Sequence, residues 1–292
     1  MLRDRFKVIV QSEWSGETCD ALIALHARRS ASSIARYREA SPSGALAVML
    51  TGTDLYRDLP DSVEAQHSLD AADRIVVLQD DALRHLERRW RRKAGVIFQS
   101  APALPHKRNP TAVLRCVVVG HLRAEKSPET IWEAVARLPE AAPLTIRHIG
   151  AALDAPLGQR AMECAGHDKR YRYEGALSHA RTRTAMRNAD LLIHPSAMEG
   201  GANVVVEAIM AGTAVMASRV SGNVGMLGRE YPGYFRPGDA SALARMLVQA
   251  SEDPAFRRKL DQACRKRRPL FRPDAEQRAV RGLVTELIRA AG

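Results

Sequence analysis

The chain has little cysteine, few aromatic residues and no long apolar run. Its four cysteines, Cys19, Cys116, Cys164 and Cys264, lie far apart and form no Cys-x-x-Cys pair. They read as reduced thiols, which excludes a zinc cluster and a disulfide frame. No run of about 18 apolar residues occurs, so no segment is expected to insert in a membrane. The opening Met-Leu-Arg-Asp-Arg-Phe is too charged for a signal peptide, and a cytoplasmic setting is expected. Aromatics make up 5% of the residues. No RNA-recognition aromatic pattern, zinc-finger spacing or helix-turn-helix signal accompanies them, so no nucleic-acid partner is expected. No Asp-x-Asp pair offers oxygen ligands, and neither a metal nor another cofactor is expected.

What is abundant is positive charge. Lys and Arg number 44 against 33 acids, a formal net charge of +11. Such a balance points to an anionic partner: nucleic acid, a membrane surface or a phosphorylated substrate. Two basic runs, 88–93 and 265–268, read as solvated helix faces.

At 292 residues the expectation is two domains of ordinary size. Short apolar runs alternate with helical patterns. Strands are predicted at 6–10, 21–25, 46–50, 74–78 and 95–99, then at 114–119, 144–149, 171–173, 191–194 and 214–217. That alternation predicts parallel sheets with helices on both faces. The fold class is therefore α/β: two Rossmann-like domains with a cleft between them. Pro102, Pro105 and Pro110 mark a linker, giving a first domain over 1–103 and a second over 104–272. A last amphipathic helix, 273–292, has the option of packing back on the first domain. The first domain reads as incomplete, lacking its opening strand, loop and helix; a smaller sheet is the alternative.

Two segments of the second domain carry chemistry. Strand 114–119 leads into Gly120-His-Leu-Arg-Ala-Glu-Lys-Ser-Pro128, with Ser127 as helix N-cap and Pro128 as the first helical residue. Lys126 then stands at a strand's C-terminal end beside a helix N-terminus, where a cation neutralises a diphosphate. Strand 191–194 leads into Glu199-Gly-Gly-Ala-Asn203 and a helix carrying Glu207. A glycine loop at a helix N-terminus offers backbone N–H groups to an anion, here flanked by carboxylates. Phosphate and hydroxyl recognition together suit a nucleotide sugar. His194 reads as packing, and Arg219 as a side chain able to reach the cleft.

Gly120–Pro128, Tyr173-Glu-Gly175 and Glu199–Ala208 together resemble the donor domain of family-four glycosyltransferases of the GT-B fold. The resemblance implies that Lys126 contacts the donor diphosphate, Glu199 the sugar and Glu207 the ribose. It also implies backbone donors at Gly200, Gly201, Ala202 and Asn203. His121 stands where that family usually has arginine, so either His121 or Arg123 supplies the second charge. In the first domain, Asp20–Ser30, Leu50–Asp58, Val76–Gln79 and Phe98–Ala101 resemble the selenosugar synthases of selenoneine biosynthesis. Membership would mean that a UDP-sugar, typically UDP-N-acetylglucosamine, and selenophosphate are the partners, with UDP leaving as a carbon–selenium bond forms.

On that reading Lys126, Glu199, His26 and Asp54 are the catalytic candidates. Arg28, Arg29 and Ser30, at the start of a helix, and Thr51 and Thr53, after a strand, are the acceptor-side candidates. His26 is open between a donor to the sugar and a core histidine, and Asp54 between orienting a hydroxyl or an arginine and serving as a helix or turn cap. Rival readings are an ordinary family-four glycosyltransferase with a lipid or saccharide acceptor, and a non-catalytic nucleotide-sugar-binding protein. In the lipid version the Trp90-bearing segment 83–93 touches an anionic membrane.

Overall fold

The computed structural model describes residues 1–104 and 111–291. The chain divides into two compact units, Met1–Ser100 with Pro273–Gly292, and Ala101–Arg272. The division falls three residues before the boundary read from the prolines, of which Pro105 and Pro110 lie outside the described residues.

The first unit runs β1 (Ala21–Leu25), α1 (Ala31–Ala40), β2 (Ala45–Met49), a π-helical turn (Asp54–Asp58), α2 (Leu59–Asp61), α3 (Val63–Ala71), β3 (Arg74–Val77), a 3-10 turn (Asp80–His85), α4 (Arg88–Arg91) and β4 (Ala94–Val96). The strands form one parallel sheet in the order β1-β2-β3-β4. Period-two alternation sorts β2 between two layers. Leu46 and Val48 join the core with Ile34, Leu69, Ile75 and Trp90. Ala45 and Ala47 face the other way and, being small, let the last helix close down on the sheet through Leu283 and Leu287.

Two predicted features of this unit are corrected. Residues 6–10 form no strand, and Ile9 and Val10 are exposed. A short apolar run becomes a strand only where a neighbour accepts its ladder, and no described strand does. Arg28 and Arg29 lie in the turn before α1 and only Ser30 reaches its cap position, where the hydroxyl donates back to the Leu25 carbonyl (2.8 Å) and caps no helical N–H.

The second unit runs β5 (Leu114–Val119), a 3-10 turn (Ala124–Lys126), α5 (Glu129–Val135), β6 (Leu144–Ile149), α6 (Ala155–His167), β7 (Tyr171–Tyr173), α7 (His179–Asn188), β8 (Leu191–His194), α8 (Asn203–Ala211), β9 (Ala214–Ser218), α9 (Ser221–Leu227), β10 (Tyr234–Phe235), α10 (Ala240–Glu252) and α11 (Pro254–Arg267), after which the chain returns to the first unit as α12 (Pro273–Ala291). Side-chain caps fix several helix starts: Asp154, Ser178, Asp239 and Asp253 each accept a backbone N–H of the first turn. Gly212, in the left-handed region (φ 74°), stops α8 and frees the chain for β9.

The six strands are ordered β10-β9-β8-β5-β6-β7. The chain winds outward from β5 through β6 to β7, then crosses back to lay β8 on the other side of β5. The reversal between β5 and β8 opens a crevice beyond their C-terminal ends, where parallel α/β sheets place ligands.

Candidate functional site

The turn leaving β5 and the loop leaving β8 border that crevice, and the Ala197 N–H donates to the Glu125 carbonyl across it (2.9 Å). The first turn is also pinned to the exit of β6: Gly120 N–H donates to Ile149 O (3.0 Å) and Leu122 N–H to Ala151 O (2.9 Å). Gly150 packs so tightly on Gly120 that a Cβ there would collide with the Gly120 carbonyl. Ser127 is not the helix cap. It is left-handed (φ 45°) and Pro128 occupies the cap position of α5. The bend places the Lys126 ammonium 2.5 Å from Glu199 Oε1.

Glu199 is the hub of the crevice. The same oxygen lies 3.2 Å from Nε2 of His194, a fully buried side chain first read as packing alone. Burial pushes the Glu199 carboxyl up, but hydrogen bonds and charge from His194 and Lys126 overcome this and hold it far below the usual carboxylate range. Beneath it, Ser218 Oγ donates to the Ser196 carbonyl and Asn223 Nδ2 donates to the Ser218 carbonyl (2.9 Å). Gly222, at the start of α9, touches the Glu199 backbone so closely that any Cβ would strike its carbonyl.

Lys126 and Glu199 line a cavity of ≈ 460 Å³. His121, Arg123, Lys126 and Gly150 form one wall; Glu199, Gly201, Ala202 and Asn203 form the other. His121 Nδ1 accepts the Ala151 N–H (3.0 Å), so in the neutral ring the hydrogen sits on Nε2. Ala202 caps α8 without a side-chain acceptor, so the first N–H groups of the helix have no side-chain cap. Cations on one wall, facing helix N–H groups and a carboxylate on the other, can hold a phosphate next to a hydroxylated group. Glu207 is one helical turn beyond Asn203 and is not part of the lining; its Oε1 lies 2.7 Å from Nε2 of His179. Gly200 is likewise not among the lining residues. Arg219 turns away, its guanidinium donating to the Arg229 carbonyl (3.0 Å) over the Tyr234 ring.

In the first unit a second cluster gathers at the strand ends. His26 is left-handed (φ 78°), a strained setting for a non-glycine residue, and its N–H continues the sheet by donating to Met49 O (2.9 Å). Its Nδ1 contacts Asp54 Oδ1, without the alignment of a hydrogen bond, and accepts the Arg29 N–H (3.3 Å). Asp54 is fully buried, and its other oxygen accepts the N–H (2.9 Å) and hydroxyl (3.1 Å) of Thr51. Burial pushes Asp54 up and His26 down, favouring the neutral form of each. Asp58, a residue the sequence did not single out, completes the cluster 3.6 Å from His26 Nε2. Its four-residue spacing from Asp54 was the available signal.

The cluster thus unites His26, Arg28, Thr51 and Asp54. Ser30 is turned to its own strand, and Thr53 starts the π-helical turn without capping it. His26, Asp54 and Asp58 place ligand-type atoms within 4.8 Å of one another, close enough to share a cation. Positive charge is already supplied, however, by Arg28 at 3.2 Å and Arg57 at 3.6 Å from Asp58.

The basic runs are more than solvated faces. Arg91 donates to Leu86 O (2.8 Å), and Lys93 to Asp70 O (2.9 Å) and Ala72 O (2.5 Å) at the end of α3. Arg267 donates to Gly225 O (2.6 Å) and Met226 O (2.9 Å) of α9, and Arg268 to Met210 O (3.1 Å) of α8. Trp90 is buried, its ring N–H on Asp70 (2.7 Å), and is withdrawn from any membrane surface. No described helix is long and apolar enough to cross a membrane.

Comparison with known proteins agrees with this geometry. The family profile described as glycosyl transferases group 1 matches residues 106–267. A 2-deoxystreptamine glucosyltransferase of Streptomyces kanamyceticus is 31% identical over 139 residues, covering 47% of this chain and 36% of that protein. The chain therefore spans about a third of that curated relative. Among solved structures, sucrose-phosphate synthase of Thermosynechococcus elongatus superposes with a TM-score of 0.73 at 22% identity, over 93% of this chain and 74% of that one. Anabaena HepE in complex with UDP gives 0.70 at 16% identity, over 91% and 79%. These likenesses establish the GT-B fold.

Proposed function

The chain belongs to the group 1 glycosyl transferases, and from that premise we propose that it transfers a sugar from a UDP-sugar, held by the second unit, to selenophosphate. The observation that carries the donor half is the meeting of Lys126 and Glu199 at the β5–β8 crevice, beside the uncapped start of α8. Lys126, assisted by Arg123 and the His121 Nε2–H, takes the diphosphate. Glu199 takes a sugar hydroxyl, and Glu207 the ribose. As the bond to UDP breaks, negative charge grows on the departing diphosphate, and fixed cations and helix N–H groups stabilise it. UDP-glucose, UDP and sugar ligands of the solved neighbours support a uridine nucleotide here.

The acceptor half rests on the selenosugar-synthase segments, two of which, 20–30 and 50–58, meet at the His26–Asp54–Asp58 cluster. His26 Nε2 is buried without a hydrogen-bond partner, a cost that a bound substrate would offset. Arg28 and Arg29 bring the charge a phosphorylated acceptor needs. Selenium attacks the anomeric carbon, the carbon–oxygen bond to UDP breaks, and water then takes the phosphoryl group from selenium to leave a selenol sugar and phosphate. A charged selenium nucleophile needs little help from a base.

One observation favours a second reading. The ≈ 510 Å³ cavity beside Arg28 is also lined by Asp58, Asp61 and Glu64. Acids there suit a hydroxylated or amine-bearing acceptor, as for a saccharide-directed enzyme. The deciding experiment incubates the protein with UDP-N-acetylglucosamine, or UDP-glucose as control, and either fresh selenophosphate or 2-deoxystreptamine. A selenium-bearing hexosamine by mass spectrometry supports the first reading; a glycosylated aminocyclitol supports the second. Arg28→Ala should raise the KM for selenophosphate and leave that for the donor nearly intact. A loss of donor affinity instead removes Arg28 from the acceptor side.

A further inference from the structure

We propose that His179 is a positioning residue for nucleotide recognition: its ring holds one oxygen of Glu207 so that the other meets the ribose hydroxyls. The inference rests on the reading that the second unit takes a uridine nucleotide. Asn203 and Glu207 are four residues apart on α8 and so share a helix face. Asn203 lines the donor cavity, as do Ala176, Leu177 and Thr182, which bracket His179 at the start of α7. The His179–Glu207 pair therefore stands next to lining residues on the first turns of both α7 and α8.

The two side chains differ sharply in setting. The Glu207 side chain is 10% exposed and that of His179 is 72% exposed, yet Nε2 and Oε1 are 2.7 Å apart. A carboxylate only accepts, so Nε2 carries the ring hydrogen. No other hydrogen bond to the Glu207 carboxylate is made among the described residues. A carboxylate has about four acceptor sites, so a nearly buried one with a single donor is left with unused acceptors. Two adjacent hydroxyls, such as those of a ribose, satisfy them.

The test is calorimetric titration of the full chain with UDP and with 2′-deoxy-UDP. The unaltered protein should bind UDP roughly tenfold more tightly or better, as expected for a hydrogen bond to a charged group. In His179→Ala the ratio should collapse toward one, mainly through weaker UDP binding. In His179→Gln, whose amide N–H replaces the imidazole donor, the ratio should recover at least in part; recovery separates positioning from a general packing role. An unchanged ratio in His179→Ala, or tighter UDP binding as for a blocking lid, overturns the inference and leaves the donor reading standing. Failure of the unaltered protein to bind UDP overturns both.

Discussion

Lys126 performs two tasks with one ammonium. It places positive charge at the cavity rim and neutralises a carboxylate that is nearly buried. Lys126→Ala should therefore cut turnover at least about tenfold, the effect of losing roughly 1.4 kcal/mol of transition-state stabilisation. Steady-state kinetics with a UDP-sugar checks this, and unchanged kinetics would remove Lys126 from the mechanism. His148 couples stability to pH. Burial pushes its pKa down to about 4, while its Nδ1 is paired with the Tyr171 hydroxyl at 2.8 Å. The unfolded chain takes up the proton near 6.5, before the folded one does. Stability is thus full above pH 6.5 and falls as pH drops toward 4, by on the order of 3 kcal/mol at most. Denaturant titrations at several pH values should show this slope, and His148→Gln should flatten it.

Among the elements, α9 touches the site from behind, supplying no residue to the cavity lining. Its Gly222 lets the helix start press against the Glu199 backbone. Gly222→Ala should cost about 1–3 kcal/mol of stability through overpacking. It should also lower turnover by about a hundredfold, the scale expected when a reacting group moves by about 1 Å. Gly166→Ala in α6, where a Cβ meets open space, is the matched control and should leave activity unchanged. If both variants behave alike, α9 does not set the position of Glu199. The helices also explain much of the excess cation: Lys93, Arg267 and Arg268 satisfy the last carbonyls of α3, α9 and α8, as cations near helix C-termini are placed to do. Runs of like charge in the sequence resolve into separate caps because their partners lie 20 to 60 residues away.

At the scale of the whole molecule, the chain leaves the first unit near Ser100 and re-enters it at Pro273. The last helix therefore covers one face of a sheet built from the opening residues, through Leu287 against Ala45 and Ala47. Leu287→Ala should destabilise the first unit by about 3 kcal/mol, within the range for deleting a buried leucine. In thermal unfolding, that should lower the transition of the first unit while UDP still stabilises the second. A uniform fall of all transitions would mean that the units do not unfold independently.

The sequence by itself located most strands to within a residue or two, because apolar runs bounded by turn residues are local signals. It also placed Lys126 and Glu199 on loops that leave strands, since each sits in a strand–loop–helix segment continuous along the chain. It over-read residues 6–10, misassigned the cap of α5 and left out Asp58 and His179. It also could not tell that Trp90 is buried or that His194 touches Glu199. Those facts depend on which strand lies beside which. Only the crossing back from β7 to β8 sets Lys126 against Glu199, 73 positions apart, and only the packing of α7 on α8 sets His179 against Glu207. Contacts between distant segments are fixed by the order and layering of the sheets, and no window along the chain contains them.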